Sequence, residues 1–394
     1  MIICLSNIFK KTLHIINFSN SKDMNSLFRS FFIFLFFGLF FGCNGQKSET
    51  IKIGAILPMS GKMANYGKSS QAALQAMLKV INVERSQKGY PLMELVVEDD
   101  KMEVKGGVSA INKLIQKDKV PAVIGPDASS IALGVAPIAE ANKTVVISPA
   151  STSTDITKAG DYIFRTILSG EYEGKIAASL YNKLYAPKKL VIMYINNEYG
   201  ISLKNSFVKN IDKSIPLKEI SYDEKEINFS SYLTKIKLAG DDVIYLIGYN
   251  EMVQIYQQAK ELDLQVKWLG TAQMGTQTLI KQIGSSADGT IFPFWELNVD
   301  QIKKTNSQFY SEFAKLSGGM ELDAFAANSV DALLILNDII KDNSKISGEE
   351  IKQKLYNIKN FNGITGSISF DANGDVDKMT VVKIVQSGTI VTYR

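Results

Sequence analysis

Hydroxyl side chains crowd two short stretches of this chain: Ser129 and Ser130 in VIGPDASS, and Ser148, Ser151 and Thr152 in ISPASTST. Hydroxyls beside free backbone N–H groups suit a small carboxylate or polar carbonyl, more so where those N–H groups open a helix. The same residue types also cap helices and form turns, so it is their pairing that points to a ligand. The flanking pattern supplies that pairing. β-Branched runs Pro121–Ile124 and Thr144–Ile147 precede the two stretches, and a helix's worth of Ala, Leu and Ile lies between them. A strand, a crossover helix and a second strand run the two strands parallel, so both loops leave the same sheet edge. That edge is where open α/β sheets bind ligands.

Composition narrows the chemistry. The 394 residues suffice for two domains of ordinary size, and 45% hydrophobic with 21% charged residues describes a globular chain. The formal charge of +4 is concentrated at the N-terminus. Residues 1–42 hold Lys10, Lys11, Lys22 and Arg29 against Asp23, and the remainder is nearly neutral. No basic surface argues for nucleic acid. The one histidine, His14, and the first of two cysteines, Cys4, also fall in that segment, leaving Cys43 as the only Cys of the body. Histidine-based acid–base work, Ser-His-Asp and Cys-His nucleophiles and the usual zinc, copper and haem ligand sets are thereby excluded. No cofactor and no metal site is expected. Carboxylate chemistry of the glycosidase or Mg kind is not excluded by counting.

The apolar run FFIFLFFGLFF, Phe31–Phe41, follows Arg29 and ends at Gly42-Cys43-Asn44. It is too short for a transmembrane helix, which needs about 20 residues, and reads as a secretory signal peptide over residues 1–42, with Met24 an alternative start. The junction resembles a bacterial lipoprotein signal in which Cys43 is lipidated, though Phe40 stands where such signals usually carry Leu. Residues 43–50 are then a tether, and the protein is expected outside the cytoplasm, periplasmic or otherwise extracytoplasmic, anchored to the membrane through Cys43.

Downstream, apolar strands and helices alternate. IKIGAIL at 51–57 is a buried parallel strand, followed by a helix over 71–83, a strand over 92–98 ending in Asp99-Asp100, and a helix over 104–116. After a strand at 162–166 the rhythm restarts through helices at 171–184, 203–211, 232–238 and 252–262 and strands at 189–195, 217–222 and 243–247. So many strands favour two sheets over one. Helices at 323–340 and 348–358 and strands at 367–370, 379–385 and 389–393 complete the chain. Two stretches mislead. Gly61 and Gly67-Lys68-Ser69 imitate a phosphate-binding loop but have five residues between the glycines instead of four. DANGDVD, 371–377, imitates a calcium loop but has Val376 and Val382 where Gly and Glu are needed, and reads as a polar hairpin turn.

From about Ile51 to its end the chain resembles the type I periplasmic binding proteins of the Leu/Ile/Val-binding kind, the solute receptors of ABC importers. The resemblance rests on IKIGAILPMSGKMANYGKSSQAALQAMLKVIN, VIGPDASS, ISPASTSTDIT, YIFRT, NNEYG, GYNEMVQIYQQA and FDANGD, in the family's order and spacing. It implies an α/β fold of two doubly wound, Rossmann-like lobes joined by three crossovers, lobe 1 being 51–168 with 297–371 and lobe 2 being 169–296 with 372–394. It also implies that Ser129, the Ala150 backbone and the Thr152 hydroxyl hold a ligand carboxylate, as the paired loops suggest, with Ser151 beside them. Tyr66 and Phe325 would border the cleft from the first lobe, and Tyr199 and Tyr249 would close on it from the second. The sequence departs from the family where an acid would pair with a ligand ammonium. Ala272, with Gln273 beside it, and Ile195 stand there. A buried ammonium without a carboxylate costs several kcal/mol, so these departures weigh against a simple α-amino acid and leave the ligand's identity open. The expected function is capture of a small polar solute, an amino acid or related carboxylate or amide, and delivery to an importer permease. Alternatives are a sensing subunit with the same cleft and, less favoured, a hydrolase using paired acids such as Asp99-Asp100.

Overall fold

The structure, a computed structural model, describes residues 50–295 and 297–394. The expected signal peptide, the expected tether up to Glu49 and the expected lipidation site Cys43 lie outside the described residues. Among the described residues no helix is long and apolar enough to cross a membrane.

Two sheets organise the chain. The first is parallel, in the order β2(Met93–Asp99), β1(Ile51–Leu57), β3(Ala122–Ile124), β4(Val145–Ser148), β5(Ile163–Arg165). The second has seven strands. β7(Leu217–Tyr222), β6(Leu190–Ile195), β8(Val243–Ile247), β9(Lys267–Leu269) and β10(Ile291–Trp295) run parallel, and β13(Thr380–Gln386) and β14(Thr389–Thr392) add an antiparallel edge. A small hairpin of β11(Phe361–Gly363) and β12(Gly366–Ile368) stands apart. The chain passes between the sheets after β5, after β10 and before β13. The fold class is thus α/β as expected, with one difference: the second sheet ends in two antiparallel strands.

Burial explains the alternation. β1, β3, β4, β6 and β8 are covered on both faces and are apolar almost throughout, as parallel strands between helical layers must be. The helix Ala64–Lys88 covers one face of the first sheet together with helices Ser307–Leu316 and Ala324–Ile340, and Phe309, Phe313, Val330 and Leu333 join the core of β1 and β3. The other face is covered by helices Val104–Gln116 and Ser129–Ala141.

Several elements differ from the sequence reading. The first helix begins at Ala64 rather than residue 71, since Gly67 lets it run tight against the preceding turn, where a Cβ would lie 2.3 Å from the Pro58 carbonyl oxygen. The helix expected from 203 starts at Glu198, because the Asn197 side chain accepts the Gly200 N–H at 3.0 Å and caps it. Strands β9 and β10 and helices Gln277–Ile283, Val299–Thr305 and Ser307–Leu316 are additional. DANGDVD folds as a turn that closes a bridge between Phe370 and Val376, with the Asp371 N–H bonded to the Asp375 carbonyl.

Candidate functional site

Register places the loops. Ala55 of β1 pairs with Ile124, Ile124 with Ile147, and Ser148 with Arg165, so the carboxyl ends of β3 and β4 open side by side. Gly125 makes the first turn possible: its φ is +96°, and a Cβ would sit 2.1 Å from the Ile56 carbonyl oxygen.

Hydrogen bonds then stitch the two loops together. Ser148 Oγ donates to the Pro126 carbonyl at 2.6 Å and accepts from the Ser151 N–H at 3.1 Å. Ser151 Oγ points to the Pro126 and Asp127 carbonyls at 3.1 and 3.0 Å. Its hydroxyl is therefore engaged in holding the loops, unlike those on either side. Ser129 Oγ accepts the Ser153 N–H at 3.1 Å, and because Ser129 is the first helical residue and Ala128 the cap position, it does not serve as an N-cap. Accepting leaves the Ser129 hydroxyl hydrogen to donate elsewhere. Thr152 is buried with its Oγ1 lacking a partner among the described residues, while its carbonyl takes the Gly170 N–H at 2.7 Å where the chain enters the second half.

A second ring of contacts fixes this frame. Arg165, fully buried, sends Nε to Asp375 Oδ1 at 2.6 Å and Nη2 to Asp375 Oδ2 at 2.8 Å. Its Nη1 donates to the Ser153 carbonyl at 2.9 Å and its Nη2 to Thr157 Oγ1 at 2.6 Å. Asn328 donates to the Pro149 carbonyl at 3.1 Å and accepts from Lys378 Nζ at 2.6 Å. Burial pushes the Lys378 ammonium down to about 8.

The second half presents aromatic rings and hidden acids. Tyr199 and Tyr249 stack at 5.1 Å between centroids, and the Tyr199 hydroxyl donates to Thr271 Oγ1 at 3.1 Å. Behind them Glu173 is buried and accepts the Ala272 N–H at 2.7 Å. Burial raises its carboxyl to about 7. Thus the position where Ala272 replaces an expected acid has a buried carboxylate against its backbone, supplied by a helix about a hundred positions earlier in the chain. Glu251 is likewise buried and takes the Tyr222 hydroxyl at 3.0 Å and the Tyr249 N–H at 2.8 Å.

The halves meet. Met63, Tyr66 and Phe325 of the first pack into the apolar cluster of the second, Tyr66 edge-on to Phe325 at 5.9 Å and Phe325 edge-on to Trp295 at 5.8 Å. The Tyr66 hydroxyl faces Thr276 across the junction. Lys62 Nζ reaches the Glu224 carbonyl at 2.9 Å, Asn250 Nδ2 the Lys62 carbonyl at 2.6 Å, and Ser202 Oγ the Thr154 N–H at 2.8 Å. Between them remains a void of about 30 Å³ bordered by Met63, Tyr66, Met102, Asp127, Ala128, Ala150, Gln273 and Phe325. A hollow of about 380 Å³ also borders Tyr66, walled by Ser69, Asn250, Thr276 and Asp323. Tyr66, Ala150, Gln273 and Phe325 therefore converge on one void, with Ser129 and Thr152 on the loops that floor it. Asp127, Glu173 and Arg165 were not singled out from the sequence. For Asp127 the signal was present: an acid two residues before Ser129 in the same loop.

Residues 50–389 match the family described as "Periplasmic binding protein". The leucine-, isoleucine-, valine-, threonine-, and alanine-binding protein of Pseudomonas aeruginosa is 26% identical over 344 residues, 85% of this chain and 90% of that protein. The leucine binding protein LivK of Thermotoga maritima superposes with a TM-score of 0.77 at 28% identity, over 87% of this chain and 98% of that one. The substrate binding protein LivJ of Streptococcus pneumoniae, solved with isoleucine, gives 0.76 at 26% identity, over 86% and 97%. A Rhodopseudomonas palustris solute binding protein solved with 4-hydroxybenzoate shares the fold at a TM-score of 0.76 and 20% identity, over 87% and 95%.

Proposed function

This chain belongs to the periplasmic binding protein family, on its type I, branched-chain amino acid receptor branch, and from that premise we propose that it is an extracytoplasmic solute-binding lipoprotein rather than an enzyme. It captures a small polar ligand between its two halves and delivers it to the permease of an ABC importer. The boundaries we propose are lobe 1 at 51–168 with 297–371 and lobe 2 at 169–296 with 372–394. Cys43 is the lipid attachment point. No cofactor takes part.

The observation that supports this reading is that Asp127, Ala128 and Ala150 of the stitched loops border one void with Tyr66 and Phe325 and with Gln273 of the second half. Those loops carry the Ser129 hydroxyl and the Thr152 Oγ1, which has no partner among the described residues, and the second half holds the stacked Tyr199 and Tyr249 in the apolar cluster that Tyr66 and Phe325 join. A carboxylate at the helix start near Ser129 would meet oriented N–H groups and hydroxyl donors, while the tyrosines exclude water over it. A ligand that touches both halves binds the closed arrangement better and shifts the population toward it.

The test is direct. Solute released on denaturing the purified protein is identified by mass spectrometry and added back to refolded, ligand-free protein in small-angle scattering. The radius of gyration should fall on saturation; an unchanged radius with bound solute would refute closure.

A further inference from the structure

The void between the halves is rich in acceptors and poor in donors. Both carboxylate oxygens of Asp127, which borders it, are shielded from solvent and have no hydrogen-bond partner among the described residues. Gln273 Oε1, reaching it from the second half, is also shielded and unpartnered. Asp100 is fully buried nearby, with Oδ1 taking the Met102 N–H at 2.9 Å and Oδ2 without a partner. Asp323 adds a third carboxylate close enough to act on Asp127. Among the described residues no Lys or Arg borders the void.

Such an arrangement is costly by itself. A buried carboxylate without hydrogen bonds or counter-charge is disfavoured, and burial, with Asp100 and Asp323 alongside, drives the Asp127 carboxyl well above the ordinary range. A protonated nitrogen relieves it, because an ammonium or guanidinium brings positive charge and several donors at once. We propose that Asp127 receives a protonated nitrogen of the bound solute, with Gln273 Oε1 as a second acceptor, so that the cleft selects a carboxylate that also carries a cation and discriminates against simple carboxylates such as benzoate. This rests on the solute-binding reading above and assigns the cation to the loop of the first half, two residues from Ser129. One small molecule can thus place its carboxylate at Ser129 and Thr152 and its cation at Asp127. The missing acids at Ile195 and Ala272 are then no obstacle to a zwitterion.

Refolded, ligand-free wild type, Asp127→Asn and Asp127→Leu are titrated by calorimetry with L-lysine, L-arginine, L-leucine, 4-methylpentanoate and benzoate. The proposal expects an amine-bearing probe to bind wild type at least about tenfold more tightly than 4-methylpentanoate or benzoate. Asp127→Asn should weaken that probe at least about tenfold, with a thermal melt of the ligand-free variant unchanged or raised. Lysine or arginine well above leucine would put the cation on the side chain, and parity with leucine would make it the α-ammonium; both support the role of Asp127. Benzoate or 4-methylpentanoate binding as well as the amines, or amine affinity indifferent to both substitutions, overturns the proposal while leaving the solute-binding reading intact. Failure of all five probes to bind overturns the proposal, and an empty mass-spectrometric search in addition overturns the solute-binding reading.

Discussion

Replacing Arg165 by Met tests how the loop after β4 is held. In the folded chain the guanidinium is fully buried and makes two near-parallel bonds to Asp375, one to the Ser153 carbonyl and one to Thr157. Methionine fills similar volume but strands the Asp375 carboxylate, which keeps only the Thr157 hydroxyl at 2.8 Å as a side-chain donor to it. Breaking one partner out of a buried pair costs about 3 to 5 kcal/mol, because the remaining charge is uncompensated. Asp375→Asn should cost about the same for the converse reason: an amide oxygen accepts one of the two guanidinium bonds and the other side of the group repels them. Removing both charges together leaves neither stranded. The double variant should therefore be no less stable than the worse single one, giving a coupling of about 3 kcal/mol in a double-mutant cycle. Urea unfolding of all four proteins with a common m-value measures it. Additive losses, with a coupling near zero, would refute the view that this pair acts as one unit pinning residues 153–157 to the last crossover.

Thr152→Ala and Ser129→Ala should each weaken binding of the recovered solute by about 10- to 150-fold, as expected for one hydrogen bond to a charged group worth about 1.5 to 3 kcal/mol. Thr152→Ala is the cleaner variant, its Oγ1 having no partner among the described residues. Normal affinity with a lowered melting temperature would reduce both hydroxyls to structural roles. Glu173→Gln tests the hidden acid: its carboxyl is raised from 4.5 to about 7 by burial, so the unfolded chain releases that proton first and wild-type stability falls as pH rises from about 4.5 to 7. Glutamine can still accept the Ala272 N–H, so the variant should match wild type near pH 4.5 and exceed it by up to about 3 kcal/mol at pH 8; a pH-independent difference would refute this. Cys43→Ser should release the protein from membranes, and unaltered processing with continued membrane association would place the anchor elsewhere.

What the sequence made legible was set by how local each signal is. β1 and β8 announce themselves as continuous apolar runs, and their observed bounds, Ile51–Leu57 and Val243–Ile247, match the reading. β10 hides because Pro293 interrupts IFPFW, yet the strand forms with Pro293 opposite Val382 of an antiparallel neighbour. β9 has three residues, below what periodicity resolves. At the site, the hydroxyls of Ser129 and Thr152 follow from two adjacent strand ends, which the βαβ pattern reveals. Ser151 carries the same signal but turns to the Pro126 and Asp127 carbonyls, a choice made by loop geometry rather than residue type. Glu173 and Arg165 act on partners about a hundred residues away or more, Ala272 and Asp375, and no local pattern reports such pairings.

The interleaving of the two sheets has a kinetic consequence. The strands of the first sheet end at Arg165, but Phe309, Phe313, Val330 and Leu333, which cover it, come after β6–β10, and the antiparallel edge of the second sheet waits for β13 and β14 at the end of the chain. A growing chain emerging N-terminus first therefore holds neither finished half until nearly all of it exists. Non-local pairing of this kind folds slowly, and incomplete sheets with open edges are liable to stick to one another. The same order of synthesis lengthens the interval in which the edges of both sheets are unpaired and able to pair with another copy.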